Sequence, residues 1–486
     1  MRILMLDLDT LRPDHLGCYG YPRNTSPGID AVAREGARFN HYHCSDAPCL
    51  PSRAALVTGM LGIRNGAVGH GGTAADLRRF GRERGFRDET LEHSLFHVFR
   101  RAGYHTVSVS PFAERHSSYW FLSGLNEMYN TGKGGMESAE EVMPTVEDWL
   151  CRNGAEDNWM LHVNLWDAHT PYRAPAGFGN PFAGEPYPGW ITEAEFKKHL
   201  AHVGPHSARE IGMYDDREDP NYPRHPGALR RREDLRRLFD GYDCGIAYLD
   251  QAVSRITSIL KEKGVYDDTA VIITSDHGED MGELGLYAEH ALADECTTRI
   301  PMIIKWPGVA PRVDDGLHYN VDLLPTLCDL LNVKAYERWD GTSYARSLTA
   351  GEDCGREYLV LSQCAHVCQR SVRWRNWLYM ATYHGGLHLF DEEMLFDLAA
   401  DPHETINLAG ELPDIAGHCA RLLRRWHAQM MARNETGVDP METVLREGGP
   451  YHSKGQVEGY VRRLRETGRA AGAEEILRRY PVEKNR

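Results

Sequence analysis

The chain has 486 residues, of which 42% are hydrophobic and 26% are charged. This composition is ordinary for a globular protein, and the length exceeds what one hydrophobic core usually serves, so we expect two domains. The formal net charge of −15 argues against a nucleic-acid partner.

The sequence has no obvious membrane or secretory segment. The opening MRILMLDLDT breaks its apolar run with an acidic residue after six positions. No stretch approaches the roughly 18 apolar residues of a membrane span. The eleven cysteines are scattered and odd in number, which is typical of reduced thiols, and we interpret Cys364 and Cys368 as structural. We therefore expect a cytoplasmic protein with no membrane partner.

Residues 2–8, RILMLDL, predict a strand that is buried on both faces and is followed by Asp9 and Thr10. Folds of the α/β class place ligands at the carboxyl ends of parallel strands, so Asp9 is a candidate ligand. The alternative is that Asp9 only caps a turn. Residues 26–37 predict a helix that opens with serine and proline.

The stretch CSDAPCLPSRAALVTG, residues 44–59, centres on Cys49. Pro51 suits the first turn of a helix, and the RAALV run that follows favours helix continuation. Cys49 should therefore lie at a helix N-terminus, where backbone N–H groups favour an anion, and Arg53 adds a positive charge one turn later. The alternative is a small buried thiol beside an ordinary helix start.

Two histidines follow as candidates. His70 lies in a glycine-rich loop over residues 60–73, where it either reaches the site or stays solvated. The buried strand predicted over residues 158–165 leads into WDAHTPY. His169 in that segment is placed to face a cleft, although Asp167 could instead satisfy it locally.

Residues 173–234 interrupt the alternation of strands and helices with proline, glycine, aromatic and charged residues. A long irregular stretch in a compact domain is usually functional, so we interpret it as a substrate-side insertion. A helix is predicted over residues 235–262 and a buried strand over 269–275. The strand ends in Asp276 and His277, which form either a ligand pair or a helix cap with a surface histidine.

The pattern changes near residue 351, where short strands with turns precede a long helix around residues 413–433. We therefore predict a catalytic domain over residues 1–350 and a smaller subdomain over 351–486. The charged tail at 451–486 is predicted to be helical, with a role in packing or assembly.

The sequences of these segments resemble those of a known family. Cys-x-Pro-Ser-Arg followed by AALVTG resembles the signature of the type I sulfatases of the alkaline phosphatase superfamily, and so do the opening LDTLRPDHLGCYGYP, the HTPY element and the LFDL…DPHE…NL element. The resemblance runs to about residue 410. It implies an α/β fold with a large, mostly parallel sheet sandwiched by helices, and a C-terminal α+β subdomain with a small antiparallel sheet.

The resemblance also implies a covalent nucleophile. In this family the signature cysteine, here Cys49, is converted to formylglycine (3-oxoalanine), whose hydrate attacks sulfur. Arg53 would orient that hydrate and bind the anion. His169, together with His290, would protonate the leaving group. A formylglycine-generating enzyme would then be a partner of this chain.

A divalent metal ion is implied at four positions, namely Asp9, Thr10, Asp276 and His277. The family usually has a second aspartate where this chain has Thr10, so the site has one carboxylate fewer. Oxygen-rich ligation favours calcium and also suits magnesium or manganese, and the histidine admits zinc or manganese.

Two further differences from the family affect how the sulfate group of a substrate would be bound. Many members have a lysine where this chain has Glu289, and a glutamate would repel the sulfate group. The adjacent His290 could supply the charge if a carboxylate keeps it protonated. Arg115 and His116 could replace the lysine and histidine that follow an earlier strand in many sulfatases, and His70 is an additional candidate for substrate binding.

We therefore predict a metal-dependent hydrolase of a small sulfate ester. A phosphonate monoester or phosphodiester hydrolase on the same scaffold is the alternative, favoured by His277 and by the missing lysine. A non-catalytic binding protein and an enzyme that uses the Cys49 thiolate directly are further alternatives. The sequence leaves a homo-oligomer open.

Overall fold

The computed structural model describes residues 1–81 and 87–481. Within these ranges the strands are β1 Arg2–Leu8, β2 Ala37–His43, β3 Asp46–Ala47, β4 His105–Val109, β5 Glu127–Tyr129, β6 Trp159–Leu165, β7 Thr269–Thr274, β8 Asp280–Met281, β9 Tyr287–Glu289, β10 Met302–Lys305, β11 Arg312–Tyr319, β12 Tyr358–Gln363, β13 Cys368–Trp374, β14 Trp377–His384 and β15 Glu393–Asp397. The α-helices are α1 Pro27–Glu35, α2 Cys49–Thr58, α3 Gly62–Asn65, α4 Glu89–Glu92, α5 Leu95–Arg101, α6 Phe112–Arg115, α7 Ala139–Asn153, α8 Glu193–Ala201, α9 Arg232–Glu262, α10 Glu295–Thr298, α11 Leu323–Leu330, α12 Ala345–Ala350, α13 Pro413–Arg433, α14 Pro440–Arg446, α15 Val457–Glu466 and α16 Ala470–Arg479.

Eight of the described strands form one sheet in the order β11-β2-β10-β7-β1-β6-β4-β5. β1 lies in its interior and pairs in parallel with both β6 and β7. β10 alone among these eight runs against its neighbours. The sheet is therefore mostly parallel, and the carboxyl ends of β7, β1 and β6 meet at one edge.

Side chains of β1 alternate between two apolar layers, as expected for a strand buried on both faces. Leu4, Leu6 and Leu8 pack into the layer that contains α1, α7 and α9. Ile3 and Met5 pack into the opposite layer, with α2, α5 and α11. Helices thus cover both faces of the sheet, which confirms the predicted α/β class.

A second sheet of five described strands has the order β15-β14-β13-β12-β3. β12 to β15 are antiparallel neighbours from the C-terminal part of the chain. β3 pairs in parallel with β12, so that Asp46 lies opposite Ser362 and Ala47 opposite Gln363. The smaller sheet is therefore bonded to the segment that directly precedes Cys49.

The remaining segments are the insertion and the C-terminal tail. The insertion at 173–234 contains α8 and long irregular stretches. In the described part of the tail, α15 and α16 pack together around Leu464 and Ile476. None of the helices in the described ranges combines the length and the apolarity required to cross a bilayer.

Candidate active site

Polar residues follow the carboxyl ends of three neighbouring strands, at the same edge of the large sheet. Asp9 follows β1, His169 follows β6 and Asp276 follows β7. Because these strands are adjacent and parallel, their carboxyl ends bring the three residues together, as ligand sites of α/β folds require. All three side chains are buried.

Cys49 is the first residue of α2, as the sequence predicts, and is only 1% exposed. Its Sγ atom lies 3.1 Å from Nε2 of His277. Asp9, Cys49, Asp276 and His277 each offer one donor atom, and these four atoms lie within 4.8 Å of one another. The predicted nucleophile and three of the four predicted metal ligands therefore share one site.

Arg53, one turn into α2, is fully buried and forms hydrogen bonds with three carboxylates. Nε donates to Asp7 at 2.8 Å, Nη1 to Asp276 at 2.6 Å and Nη2 to Asp9 at 2.8 Å. Asp7 shares the face of β1 that carries Ile3 and Met5, which is the face that α2 covers. Arg53 therefore fixes the carboxylates around the nucleophile.

The charges at this edge fit a bound cation. One guanidinium faces the three buried carboxylates of Asp7, Asp9 and Asp276, and Oδ1 of Asp7 has no hydrogen-bond partner among the described residues. Burial raises the pKa of Asp276 to about 8, and the charges of Asp9 and Asp7 act in the same direction. The charge of Arg53 opposes this shift. Buried carboxylates are costly unless they are paired or bind a metal, so this set of donors suits a divalent ion.

Thr10 contributes to this group in a different way from an aspartate. Its backbone N–H donates to Oδ1 of Asp276 at 3.2 Å, and its hydroxyl donates to Oδ1 of Asp9 at 2.8 Å. Its φ of 63° lies in the left-handed region, which a β-branched residue adopts only under strain. Thr10 therefore orients two carboxylates instead of supplying another.

The environment keeps the Cys49 sulfur protonated. Burial and the charge of Asp9 raise the pKa of the Cys49 thiol to about 11. A thiol is a poor nucleophile compared with a thiolate, and reactive cysteines normally have a lowered pKa. The raised pKa therefore disfavours the alternative in which the Cys49 thiolate acts directly.

His169 points into the site through one nitrogen atom. Nδ1 lies 2.6 Å from the carbonyl oxygen of Thr170 and can only donate to it. Nε2 lies 3.9 Å from Oδ1 of Asp9 and has no hydrogen-bond partner among the described residues. Burial lowers the pKa of His169 well below its usual value, so Nε2 presents a lone pair.

His290 is held between two carboxylates. Its Nε2 lies 2.9 Å from Glu289 and its Nδ1 lies 3.5 Å from Glu279. Burial alone would lower the pKa of His290, but these carboxylates raise it well above the usual value. The His290 ring lies close to that of His277, with centroids 4.0 Å apart and the ring planes tilted by 31°. The protonated imidazole thus lies beside Cys49 and next to Glu289, which occupies the position of the lysine found in many members of the family.

Three arginines surround the buried indole of Trp166. The guanidinium carbons of Arg53, Arg115 and Arg173 lie 5.3, 5.1 and 5.8 Å from its ring. Burial and the nearby Arg115 lower the pKa of Arg173 to about 10. Nε of Arg115 and Nε of Arg173 have no hydrogen-bond partner in the described ranges. The group concentrates positive charge beside His169.

The other predicted substrate residues, His70 and His116, lie next to each other. The His70 ring is 5.1 Å from that of His116, and Nδ1 of His70 is 2.9 Å from Nε2 of His452. His70 is a half-buried loop residue that belongs to a group of histidines. Cys364 and Cys368 lie nearby on the smaller sheet, with sulfur atoms 3.5 Å apart and both side chains buried.

A buried cysteine at the start of a helix, at the carboxyl edge of a mostly parallel sheet with helices on both faces, is the arrangement that the resemblance to sulfatases of the alkaline phosphatase superfamily implies. The model of the family named Sulfatase matches residues 3–333. The chain belongs to the sulfatase family, and by that membership it is a sulfuric ester hydrolase.

Three known proteins are similar to this chain. The choline-sulfatase of Rhizobium meliloti is 27% identical over 443 residues, which cover 79% of this chain and 77% of that protein. The phosphonate monoester hydrolase of Agrobacterium radiobacter superposes with a TM-score of 0.70 at 21% identity, covering 88% of this chain and 96% of its own. A 2-O GAG sulfatase superposes with a TM-score of 0.68 at 21% identity, covering 88% and 92%. The two structures support the fold.

Several residues of the site are not predicted from the sequence. Asp7 is hidden inside an apolar strand, although a lone carboxylate in such a run signals a buried partner. Arg173 follows the HTPY element directly, but nothing in its spacing marks it. The partners of Glu289 come from distant parts of the chain, namely His206 and His366. Only the chain's 24 histidines hint at such a group.

Proposed function

We propose that this protein hydrolyses a small sulfate monoester through a formylglycine formed from Cys49, with one divalent metal ion. One observation carries the proposal: the Cys49 side chain lies at the start of α2, with donor atoms of Asp9, Asp276 and His277 within 4.8 Å. Nucleophilic catalysis requires the nucleophile and its activating groups within contact of each other.

The metal ion would be held by Asp9, Asp276 and His277, with Thr10 orienting the two carboxylates. When bound, it supplies Lewis-acid charge to the sulfate oxygens and to the nucleophile. Arg53 keeps Asp9 and Asp276 in place through two short hydrogen bonds. Calcium is the first choice for this oxygen-rich set, and manganese, magnesium or zinc would also suit it.

Oxidation of Cys49 to formylglycine by the formylglycine-generating enzyme and its own oxidant, followed by addition of water, would supply a geminal diol. One hydroxyl attacks sulfur while the alcohol leaves with a proton. The other hydroxyl then gives up its proton, sulfate leaves and the aldehyde is regenerated. Because the Cys49 side chain is only 1% exposed, we propose that the formylglycine-generating enzyme acts before the domain closes.

His290 is the better placed of the two predicted proton donors. It lies between Glu279 and Glu289, which stabilise its protonated form. A protonated imidazole can deliver its proton to the leaving alkoxide. His169, in contrast, uses its N–H toward the Thr170 carbonyl, so its free Nε2 would accept a hydrogen bond from the nucleophile or from water.

Substrate charge would be balanced on both sides of the nucleophile. Arg115 and Arg173 have buried Nε groups without partners in the described ranges, beside His169. Guanidinium groups bind tetrahedral anions well because their donors form a planar fork. Glu289, which would otherwise repel sulfate, lies 2.9 Å from His290 and 3.2 Å from His206.

A phosphonate monoester or phosphodiester hydrolase is the second candidate. His277 among the metal ligands and Glu289 in place of a lysine favour it, because both change the charge that faces the anion. The two candidates share the nucleophile and differ in the ester that is cleaved.

The test is a mass spectrum of the peptide that carries Cys49, combined with rates on matched aryl esters. Protein coexpressed with a formylglycine-generating enzyme should show the formylglycine mass and a higher kcat/KM for the aryl sulfate than for the aryl phosphonate monoester. The formylglycine mass with the reverse order of rates would replace the sulfatase by the second candidate. An unmodified, active protein would contradict the mechanism.

Metal removal provides a separate prediction. Treatment with excess chelator should lower kcat/KM by about 10³-fold, since a catalytic ion contributes several kcal/mol to the transition state. Adding one type of divalent cation to the dialysed protein should restore the rate. Chelator saturated beforehand with that cation is the control, and unchanged rates in excess free chelator would contradict a metal at Asp9 and Asp276.

A further inference from the structure

A group of histidines lies beyond His290, outside the nucleophile and its donor set. It consists of His70, His366 and His452, here called the histidine triad. His70 follows α3, His366 lies in the turn between β12 and β13, and His452 lies between α14 and α15. Three segments that are far apart in sequence thus converge, including the tail for which the sequence indicates no function.

The three imidazoles are close enough to share one ion. Nδ1 of His70 lies 2.9 Å from Nε2 of His452, and the rings of His366 and His452 stack with centroids 4.1 Å apart. Each ring offers one nitrogen, and the three nitrogens lie within 4.8 Å of one another. Nitrogen ligands at about 2.0–2.1 Å from a tetrahedral zinc ion are about 3.3 Å apart, so small movements would complete the geometry.

The protonation of the triad suits a metal. Burial lowers the pKa of His70 and of His366 well below the usual value and that of His452 to about 4. Neutral imidazole is the form that binds metals. Nε2 of His70 is buried and has no hydrogen-bond partner among the described residues. His366 is buried and His70 and His452 are half-buried, so an ion held between the three rings would be shielded from solvent on one side and would satisfy Nε2 of His70 or the nitrogens that face it.

The triad is linked to the nucleophile through Glu289. Nε2 of His366 lies 3.8 Å from Oε1 of Glu289, which in turn lies 2.9 Å from Nε2 of His290. Donor atoms of Glu289, His290 and His366 also fall within 4.8 Å of one another. An ion on the triad would therefore have Glu289 on the side that faces His290.

We propose that His70, His366 and His452 bind a second divalent transition-metal ion, Zn²⁺ by preference, with a fourth coordination position open toward Glu289. Three histidines with one open position form a set that zinc accepts in catalytic sites. The ion restores positive charge where Glu289 replaces a lysine. This site does not depend on the formylglycine chemistry or on the nature of the ester.

The test is the zinc content of the full-length protein after metal removal and reloading with Zn²⁺, measured by elemental mass spectrometry. The wild type should retain about two Zn²⁺ per chain, and His452→Gln should retain about one. Asp276→Asn should also lose one ion, but from the other site, so the double variant should retain none. His105→Gln, at an exposed histidine on β4, is the matched control and should bind as the wild type does.

A His452→Gln variant that binds as many Zn²⁺ ions as the wild type would overturn the proposal, and so would a wild type whose single Zn²⁺ is retained in His452→Gln. Anomalous scattering at the zinc edge, from crystals of wild-type protein soaked in Zn²⁺, decides the matter if His452→Gln fails to fold. A peak between the three imidazoles supports the site, and no peak there refutes it. The Cys49→Ser protein should show the same peak, which separates this result from the outcome for the proposed reaction.

Discussion

Replacing Cys49 by serine should lower kcat on the order of 10⁴-fold or more, as removal of a covalent nucleophile does, while the fold persists. The hydroxyl of serine has nearly the size of the thiol, and the site already surrounds Cys49 with polar groups such as His277 at 3.1 Å. The measurement is turnover of an aryl sulfate, together with circular dichroism and a thermal melt. A mass spectrum must show that the serine is unmodified.

Cys44→Ser is the matched control. Cys44 is also a fully buried thiol of the same stretch, five residues earlier, but it is absent from the donor set around Cys49. We expect this variant to keep its turnover within a few-fold and to lose about 1–2 kcal/mol of stability for burying a hydroxyl. Full activity of Cys49→Ser, or an equal loss in both variants, would contradict a nucleophile at Cys49.

The main features of the large sheet can be predicted from the sequence because its strands are short apolar runs that end in polar residues. β1, β6 and β7 follow this pattern, and their ends define the active-site edge. The pairing of β3 with β12 is different. β3 has two residues, and its partner lies some 300 positions later, so no local pattern marks it. That pairing places the C-terminal subdomain directly against the segment that leads into Cys49.

Within the site, the residues that could be predicted are those with a local signal. Cys49, Asp9, Asp276 and His277 each follow a strand or begin a helix. The function of Glu289 depends on residues that only the fold brings near. Its negative charge suggests repulsion of an anion, yet the protonated His290 lies 2.9 Å away. His206 lies at 3.2 Å, but burial lowers its pKa, so it is a neutral neighbour. Charge balance in a buried site depends on such long-range contacts.

Arg53→Met should destabilise the metal-free protein by about 3–5 kcal/mol, because it removes the one cation from three buried carboxylates. Methionine fills a similar volume, so the loss would arise from charge and not from a cavity. The measurement is the unfolding midpoint in urea with and without the divalent ion. Metal should recover part of the loss, since an ion at Asp9 and Asp276 replaces the missing charge.

Two comparisons isolate the role of the guanidinium fork. Arg64→Met, at a buried arginine in α3, should cost less because its partner Asp340 keeps a second cation, Arg433, at 3.0 Å. Arg53→Lys should be more stable than Arg53→Met, because an ammonium keeps the charge. It should still lose at least about 100-fold in kcat, because a single ammonium group lacks the planar fork that holds three carboxylates at once. If Arg53→Lys retained full activity, the carboxylates would be positioned by the metal alone.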